Sequence, residues 1–224
     1  MTSAVVFAYH DVGVRCLSVL LAHGVDVQHV YTHPDDPNEN IWFGNVAALA
    51  RLHRLPVTLV SRADQPGLEA AVAALQPDFL FSFYYRFMLP PEILALARRG
   101  AFNMHGSLLP KYRGRVPVNW AIIQGERETG ATLHEMVAKP DAGRMVDQQA
   151  VPILPNDTAL EVFRKVTVAA EIVLNRALPQ LIAGTAVLAS QDLAAGSYYG
   201  GRRPDDGRID WQWPSAKVHN LVRA

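Results

Sequence analysis

The chain is expected to fold as an α/β protein with a Rossmann-like, mostly parallel sheet and helices on both faces. Three observations lead there. Half of its 224 residues are apolar, enough for one large buried core. Short unbroken apolar runs alternate with longer stretches whose apolar residues recur at helical spacing, which is the order of βαβ units. Glycine, proline and polar clusters punctuate the joins, as at Gly24, residues 34–38 and Pro77.

Residues 4–9 (AVVFAY) are apolar throughout and read as a strand buried on both faces. Residues 14–23 follow with helical spacing and stop at Gly24, and 27–32 form the second strand. Residues 43–52 suit a helix, 56–60 a third strand, and 67–75 a helix that ends before Pro77. Residues 79–83 (FLFSF) make a fourth strand, 90–98 a helix with proline near its start, and 101–104 a fifth strand. Beyond it come a helix over 116–124, strands over 130–137 and 145–153, and the longest helical pattern, 158–182. Asp157 or Thr158 is its candidate N-cap, with Glu161 in the first turn. After residues 187–189 the composition changes: 196–207 reads as an irregular surface loop and 215–224 begins one more helix. The division expected is a catalytic domain over 1–190, then a loop and the start of a helix over 191–224.

Lys plus Arg and Asp plus Glu both number 21, so the net charge is zero and electrostatically driven binding of nucleic acid is not expected. The single cysteine, Cys16, lies on an apolar helical stripe and reads as a buried filler in a reducing compartment. No apolar run approaches the ~20 residues that span a bilayer, and the first residues lack a secretory pattern. A cytoplasmic protein without membrane insertion is expected.

In open sheets of this kind ligands bind at the carboxyl ends of the strands. Asn103 and His105 lie at one such end, two residues apart, so both side chains face the same way. The segments 10–13 and 84–89, expected as loops after the first and fourth strands, open onto the same edge. No G-x-G-x-x-G or P-loop pattern follows the first strand, which removes support for dinucleotide and P-loop nucleotide binding. Residues 139–143 form a turn that presents Asp141. Amide, imidazole and carboxylate together supply an oxyanion donor, a base and an orienting charge. No G-x-S-x-G elbow accompanies Ser107, so direct acyl transfer to an external nucleophile fits better than an acyl-enzyme. From the residues alone two bland readings stay open, a hydrogen-bonded strand end for Asn103 and His105 and a self-bonding turn for Asp141. His134, on an apolar strand, reads as a core histidine. A metal site from His105, His134 and Asp141 has no H-x-x-x-H or C-x-x-C spacing behind it.

Asn103-Met104-His105-Gly106-Ser107-Leu108-Leu109-Pro110-Lys111-Tyr112-Arg113-Gly114 resembles the N-x-H-x-S-L-L-P-x-x-x-G signature of folate-dependent formyltransferases. Asp141-Ala142-Gly143 is similar to the D-x-G that follows it there. The resemblance implies N10-formyltetrahydrofolate as co-substrate, no metal, and Asn103, His105 and Asp141 as the catalytic trio. It also implies folate contacts at Phe87, Met88, Leu89, Arg115, Val137, Ala138, Lys139, Pro140 and Asp141. Within the family, residues 5–11, 81–86, 105–115 with Pro117, Asn119 and Trp120, and 201–206 are most similar to one type of domain. These are the domains of bifunctional polymyxin-resistance enzymes that N-formylate UDP-4-amino-4-deoxy-L-arabinose for lipid A modification. Arg86, Arg202 and Arg203 are then expected at the sugar diphosphate, and Tyr84 and Tyr85, with Tyr198 and Tyr199, as stacking surfaces. Relatives of this type continue past residue 224 into a small β-rich subdomain, and the bifunctional enzymes add a dehydrogenase domain. The alternatives are another amino sugar or methionyl-tRNA as acceptor, or a folate- or nucleotide-sugar-binding module without activity.

Overall fold

The structure is a computed structural model and describes residues 1–62 and 65–224. The first half of the chain alternates as its periodicity requires: β1 (Ser3–Ala8), α1 (His10–Ala22), β2 (Asp26–Thr32), α2 (Val46–Leu52), β3 (Val57–Leu59), α3 (Leu68–Leu75), β4 (Phe79–Phe83), α4 (Pro91–Leu94) and β5 (Gly100–His105). β6 (Arg113–Gly114), α5 (Pro117–Ile123), β7 (Glu128–Glu135), β8 (Met145–Pro152) and α6 (Ala159–Ala183) follow. The chain closes with β9 (Tyr198–Tyr199) and α7 (Ser215–Arg223).

Seven strands make one sheet in the order β3-β2-β1-β4-β5-β7-β8. The pairs from β3 to β5 are parallel, and β5–β7 and β7–β8 are antiparallel. Every residue of β1 and of β4 is buried, as expected for strands covered on both faces. Alternate residues feed two cores: Val6, Phe81 and Phe83 pack beneath α1 and α6, and Val5, Phe7 and Leu80 beneath α3 and α4. Cys16 is fully buried in the first of them.

Local chemistry explains where the elements depart from expectation. Residues 10–13 are not a loop: β1 turns straight into α1 at His10, whose φ of 67° makes the corner. Gly13 permits this, because a Cβ there would stand 2.9 Å from Val46 and 3.1 Å from Ala8. α4 stops at Leu94, where the N–H groups of Leu96 and Ala97 bond three residues back and tighten the chain into a 3₁₀-like turn. α6 starts in a Thr158–Glu161 capping box and ends at Gly184, at φ 71°. It is long and apolar enough to cross a membrane, but half of its apolar window is buried, and it packs on α1, β7 and β8 as a core helix.

The stretch expected as an irregular loop is partly built. Tyr198–Tyr199 pairs in parallel with Arg113–Gly114 as a second, two-stranded sheet. Rings stack behind it, Tyr112 on Tyr199 at 5.4 Å and Tyr199 on Trp120 at 4.9 Å. α7 lies against α5, tied by Arg223 to the carbonyls of Leu154 and Asp157.

Candidate active site

β5 ends where the sheet changes from parallel to antiparallel, and the polar chain beyond it is tightly held. Ser107 is fully buried and its hydroxyl donates to the Lys111 carbonyl at 2.7 Å, so it is spent on the loop. Thr132 on β7 donates to the Ser107 carbonyl at 2.6 Å and accepts from the Leu109 N–H at 3.2 Å. His105 is thereby aimed into a cavity of about 640 Å³.

Asn103, His105 and Asp141, chosen from the sequence as a trio, come together at one end of that cavity. The Nε2–H of His105 donates to the Tyr112 carbonyl at 2.8 Å, which leaves Nδ1 as the free ring nitrogen, 3.6 Å from Asp141 Oδ1. Asp141 Oδ2 accepts from the Gly114 N–H at 2.8 Å. The residue holds a left-handed φ of 50°, a strain the surrounding loop sustains. Two contacts do so: Gln191 donates to the carbonyls of Asp141 and Gly143, and Gly143 lies against β7 so closely that a Cβ would stand 2.1 Å from the Glu135 oxygen. The glycine of D-A-G is therefore a contact residue, and any side chain there would lift Asp141 out of place.

Burial is the largest influence on both ionisable groups and pushes each toward its neutral form. For His105 burial prevails over the Asp141 charge and the Tyr112 carbonyl, so the imidazole titrates below its ordinary range. For Asp141 burial is outweighed, by the His105 charge first and with the Gly114 N–H adding to it, and its carboxyl is held far below the usual carboxylate range. At neutral pH the pair is thus a base nitrogen beside a fixed carboxylate.

His134 is the member that sequence reasoning missed. It is a core histidine by burial, at 1 % exposure, yet its Nε2 lies 3.2 Å from Asn103 Nδ2 and 3.4 Å from Asp141 Oδ1. Leu133 before it is apolar and Glu135 after it pairs with Arg144, and only the cross-strand register, Asn103 opposite His134, reveals the contact. Among the described residues no group of His, Cys, Asp or Glu has metal-site geometry.

Phe87, Met88, Leu89, Arg115, Val137 and Pro140 line the same cavity. Met88, at 61 % exposure, and Val137 offer apolar surface to its mouth, while Leu89 is buried in the wall. Ala138 and Lys139 lie outside the lining, exposed on the turn before Pro140.

The residues expected at the acceptor divide. Tyr84 and Tyr85 reach the cavity wall, where Tyr84 stands edge-on to Phe163 at 5.6 Å and one face of Tyr85 is stacked on His33 at 4.3 Å. Arg86 lines the cavity too, paired at the surface with Glu39 at 2.7 Å and lying over the Tyr9 ring. Arg202 and Arg203 border a second hollow of about 530 Å³ with Trp120, Gly200, Gly201 and Asp206. Arg202 Nε is buried there without a partner. The two hollows adjoin, since a Cβ at Gly201 would lie 3.7 Å from Arg115 Cδ.

Among solved structures the fold is similar to the N-formyltransferase from Helicobacter canadensis in complex with folinic acid and dTDP-3-aminofucose. That match has a TM-score of 0.81 and 23% identity, and covers 100% of this chain and 80% of that one. It is also similar to WlaRD, a sugar 3N-formyl transferase solved with dTDP and 5-N-formyl-THF, at TM-score 0.78 and 21% identity over 100% and 78% of the two chains. A third match is glycinamide ribonucleotide transformylase 1 from Symbiobacterium toebii, at TM-score 0.71 and 21% identity over 86% and 95%. At these identities the likeness establishes the shared fold. Residues 19–178 match the formyl transferase family, and with well over half of its length inside that match the chain belongs to it.

Proposed function

We propose that this formyl transferase moves a formyl group from N10-formyltetrahydrofolate to the 4-amine of a nucleotide-linked amino sugar, UDP-4-amino-4-deoxy-L-arabinose, in the cytoplasm. The observation that carries the reading is the convergence of Asn103, His105 and Asp141 at the end of a largely apolar slot. Such a slot, with few polar groups, suits a pterin. The folinic acid and dTDP-amino sugar of the Helicobacter canadensis enzyme support the same pairing of ligands here. The wording of residues 81–86 and 201–206 favours the arabinose derivative, the amino sugar of lipid A modification and polymyxin resistance. The zero net charge favours a small acceptor over tRNA.

In this reading the neutral amine attacks the formyl carbon, and an N–H of Asn103 donates to the oxygen as it gains negative charge. His105 Nδ1, the nitrogen not spent on Tyr112, takes the amine proton, and the Asp141 carboxylate stabilises the imidazolium so formed. The C–N10 bond then breaks and a proton returns to N10. The diphosphate falls to Arg202 and Arg203 around the second hollow, which adjoins the first beside Arg115.

The test is formyl transfer from N10-formyltetrahydrofolate to a panel of UDP- and dTDP-amino sugars and charged tRNA. Transfer to the UDP sugar is expected, and folate binding without transfer to any acceptor would leave a binding module. Alanine at Asn103, His105 or Asp141 should lower turnover by ~100-fold or more. Near-normal activity of a folded His105→Ala protein refutes the assignment. The double variant Arg202→Ala, Arg203→Ala should raise KM for the UDP sugar by ~10-fold or more and leave KM for the folate unchanged.

A further inference from the structure

His134 stands directly across the β5–β7 ladder from Asn103, fully enclosed by protein. One of its nitrogens is committed: Nδ1 lies 2.7 Å from the Glu135 carbonyl oxygen, which can only accept, so Nδ1 carries the hydrogen. In the neutral ring Nε2 is then an acceptor. Its two neighbours, Asn103 Nδ2 at 3.2 Å and Asp141 Oδ1 at 3.4 Å, make opposite demands on it. The amide needs a lone pair to donate to, whereas the carboxylate needs a proton.

The two states of His134 therefore imply two orientations of Asn103. With a neutral ring, one hydrogen of the Asn103 NH₂ is spent on Nε2 and the second is free. With an imidazolium, Nε2–H turns to Asp141, and the amide gains by turning its oxygen toward the ring. Amide nitrogen and oxygen are nearly alike in shape, so only hydrogen bonding distinguishes the two orientations. An amide oxygen aimed at a developing oxyanion would repel it, and the donor of the transfer reaction would be lost. The titratable and charged groups around the ring are Asp141, His105, whose ring centre is 6.4 Å away, and the Glu135–Arg144 ion pair at the protein surface.

We propose that His134 is a positioning residue: its neutral Nε2 accepts one hydrogen of the Asn103 amide and so directs the other toward the formyl oxygen. This rests on the reading of Asn103 as the oxyanion donor. The loop of D-A-G is fitted to the same arrangement, since Gly143 closes on the Glu135 carbonyl that fixes His134 Nδ1. A glutamine can carry an acceptor oxygen to about the place of Nε2, and a leucine fills the space without one.

The test compares wild type, His134→Gln and His134→Leu in the full chain, by steady-state formyl transfer and by nitrogen-15 NMR of the histidine rings and asparagine amides. His134→Leu should lower kcat by ~10-fold or more with KM for the folate within about threefold, and His134→Gln should recover most of the loss. In the wild type, recorded under the conditions of maximal kcat, the His134 Nε2 signal should be that of an unprotonated acceptor, with a displaced Asn103 amide signal in His134→Leu. A folded His134→Leu enzyme with wild-type kcat, a glutamine variant no better than leucine, or a protonated Nε2 each overturns the proposal. If the wild type transfers no formyl group to any acceptor, the functional reading fails. The NMR result alone then supports or overturns the His134–Asn103 hydrogen bond.

Discussion

A single methyl group at Gly106 would test how firmly the end of β5 is held. A Cβ there would stand 2.0 Å from Tyr84 Oη and 3.1 Å from its Cζ, more than an ångström inside ordinary contact for the first of them. Tyr84 has little freedom to give way, with φ at 58° and its ring edge-on to Phe163. On the other side, His105 is pinned to the Tyr112 carbonyl. The methyl must therefore push the His105–Gly106 backbone, and overpacking of this kind costs about 1–3 kcal/mol. A shift of about 1 Å in a catalytic group can cost ~100-fold in rate. Gly106→Ala should lose stability in that range and most of its formyl transfer. Tyr84→Phe removes the colliding oxygen, an atom that is buried without a hydrogen-bond partner. Alone it should be neutral or slightly stabilising. Combined with Gly106→Ala it should recover at least ~1 kcal/mol and much of the rate, a coupling measured by urea denaturation and kcat/KM on all four proteins. A Gly106→Ala protein as stable and active as wild type, or one that Tyr84→Phe does not relieve, would refute this account of the site's rigidity.

Two further outcomes follow from close contacts elsewhere. Gly143→Ala should leave a folded protein but lower kcat by ~100-fold, because its Cβ would meet the Glu135 oxygen at 2.1 Å and lift the loop that carries Asp141; a change under about threefold would show that this loop tolerates displacement. His10 stacks on Phe43 at 3.8 Å, and burial, which outweighs Asp11, lowers its pKa from 6.5 to about 4. The unfolded chain thus takes up this proton first as pH falls. Stability from this group is complete above about pH 6.5, declines toward pH 4 by about 1–2 kcal/mol once solvent screening of the partly exposed ring is allowed for, and is level below. Urea midpoints measured from pH 7 to pH 4 should fall more steeply in wild type than in His10→Asn, whose side chain tolerates a positive φ and does not titrate. Equal slopes would contradict the burial assigned to His10.

What could be read in advance was whatever repeats along the chain. β1 and β4 are unbroken apolar runs, the pattern of strands covered on both faces, and the α6 capping box is local in sequence, so all three were legible. Asn103 and His105 were legible as a pair because alternate residues on a strand share a face. The contacts that sort the remaining candidates are long-range. Arg86 finds Glu39 across 47 positions, and Asn103 meets His134 across 31, with nothing in either local segment to announce the partner. The β6–β9 ribbon has two residues per strand, too few for any period to register.

The reversal of strand direction at β7 is the step from fold to chemistry. Residues directly opposite in an antiparallel pair have Cβ atoms about 4.5–5.5 Å apart, close enough for the Asn103 and His134 side chains to meet at 3.2 Å. A slip of one residue would turn His134 to the other face of the sheet. The register is guarded from the far side by Gly130, where a Cβ would stand 2.1 Å from the Gln149 carbonyl oxygen, so that β7 and β8 approach as only glycine permits. Between Leu133 and His134 the β7–β8 ladder shifts by a bulge, with Leu133 opposite Asp147 and His134 opposite Met145. Bulges bend the strand that carries them and re-aim its neighbours, and here the bulge lies at the mouth of the hairpin that returns Asp141 to His105 and His134. The antiparallel edge of the sheet thus supplies two of the four polar groups at the site, and β5, the last strand in parallel register, supplies the other two.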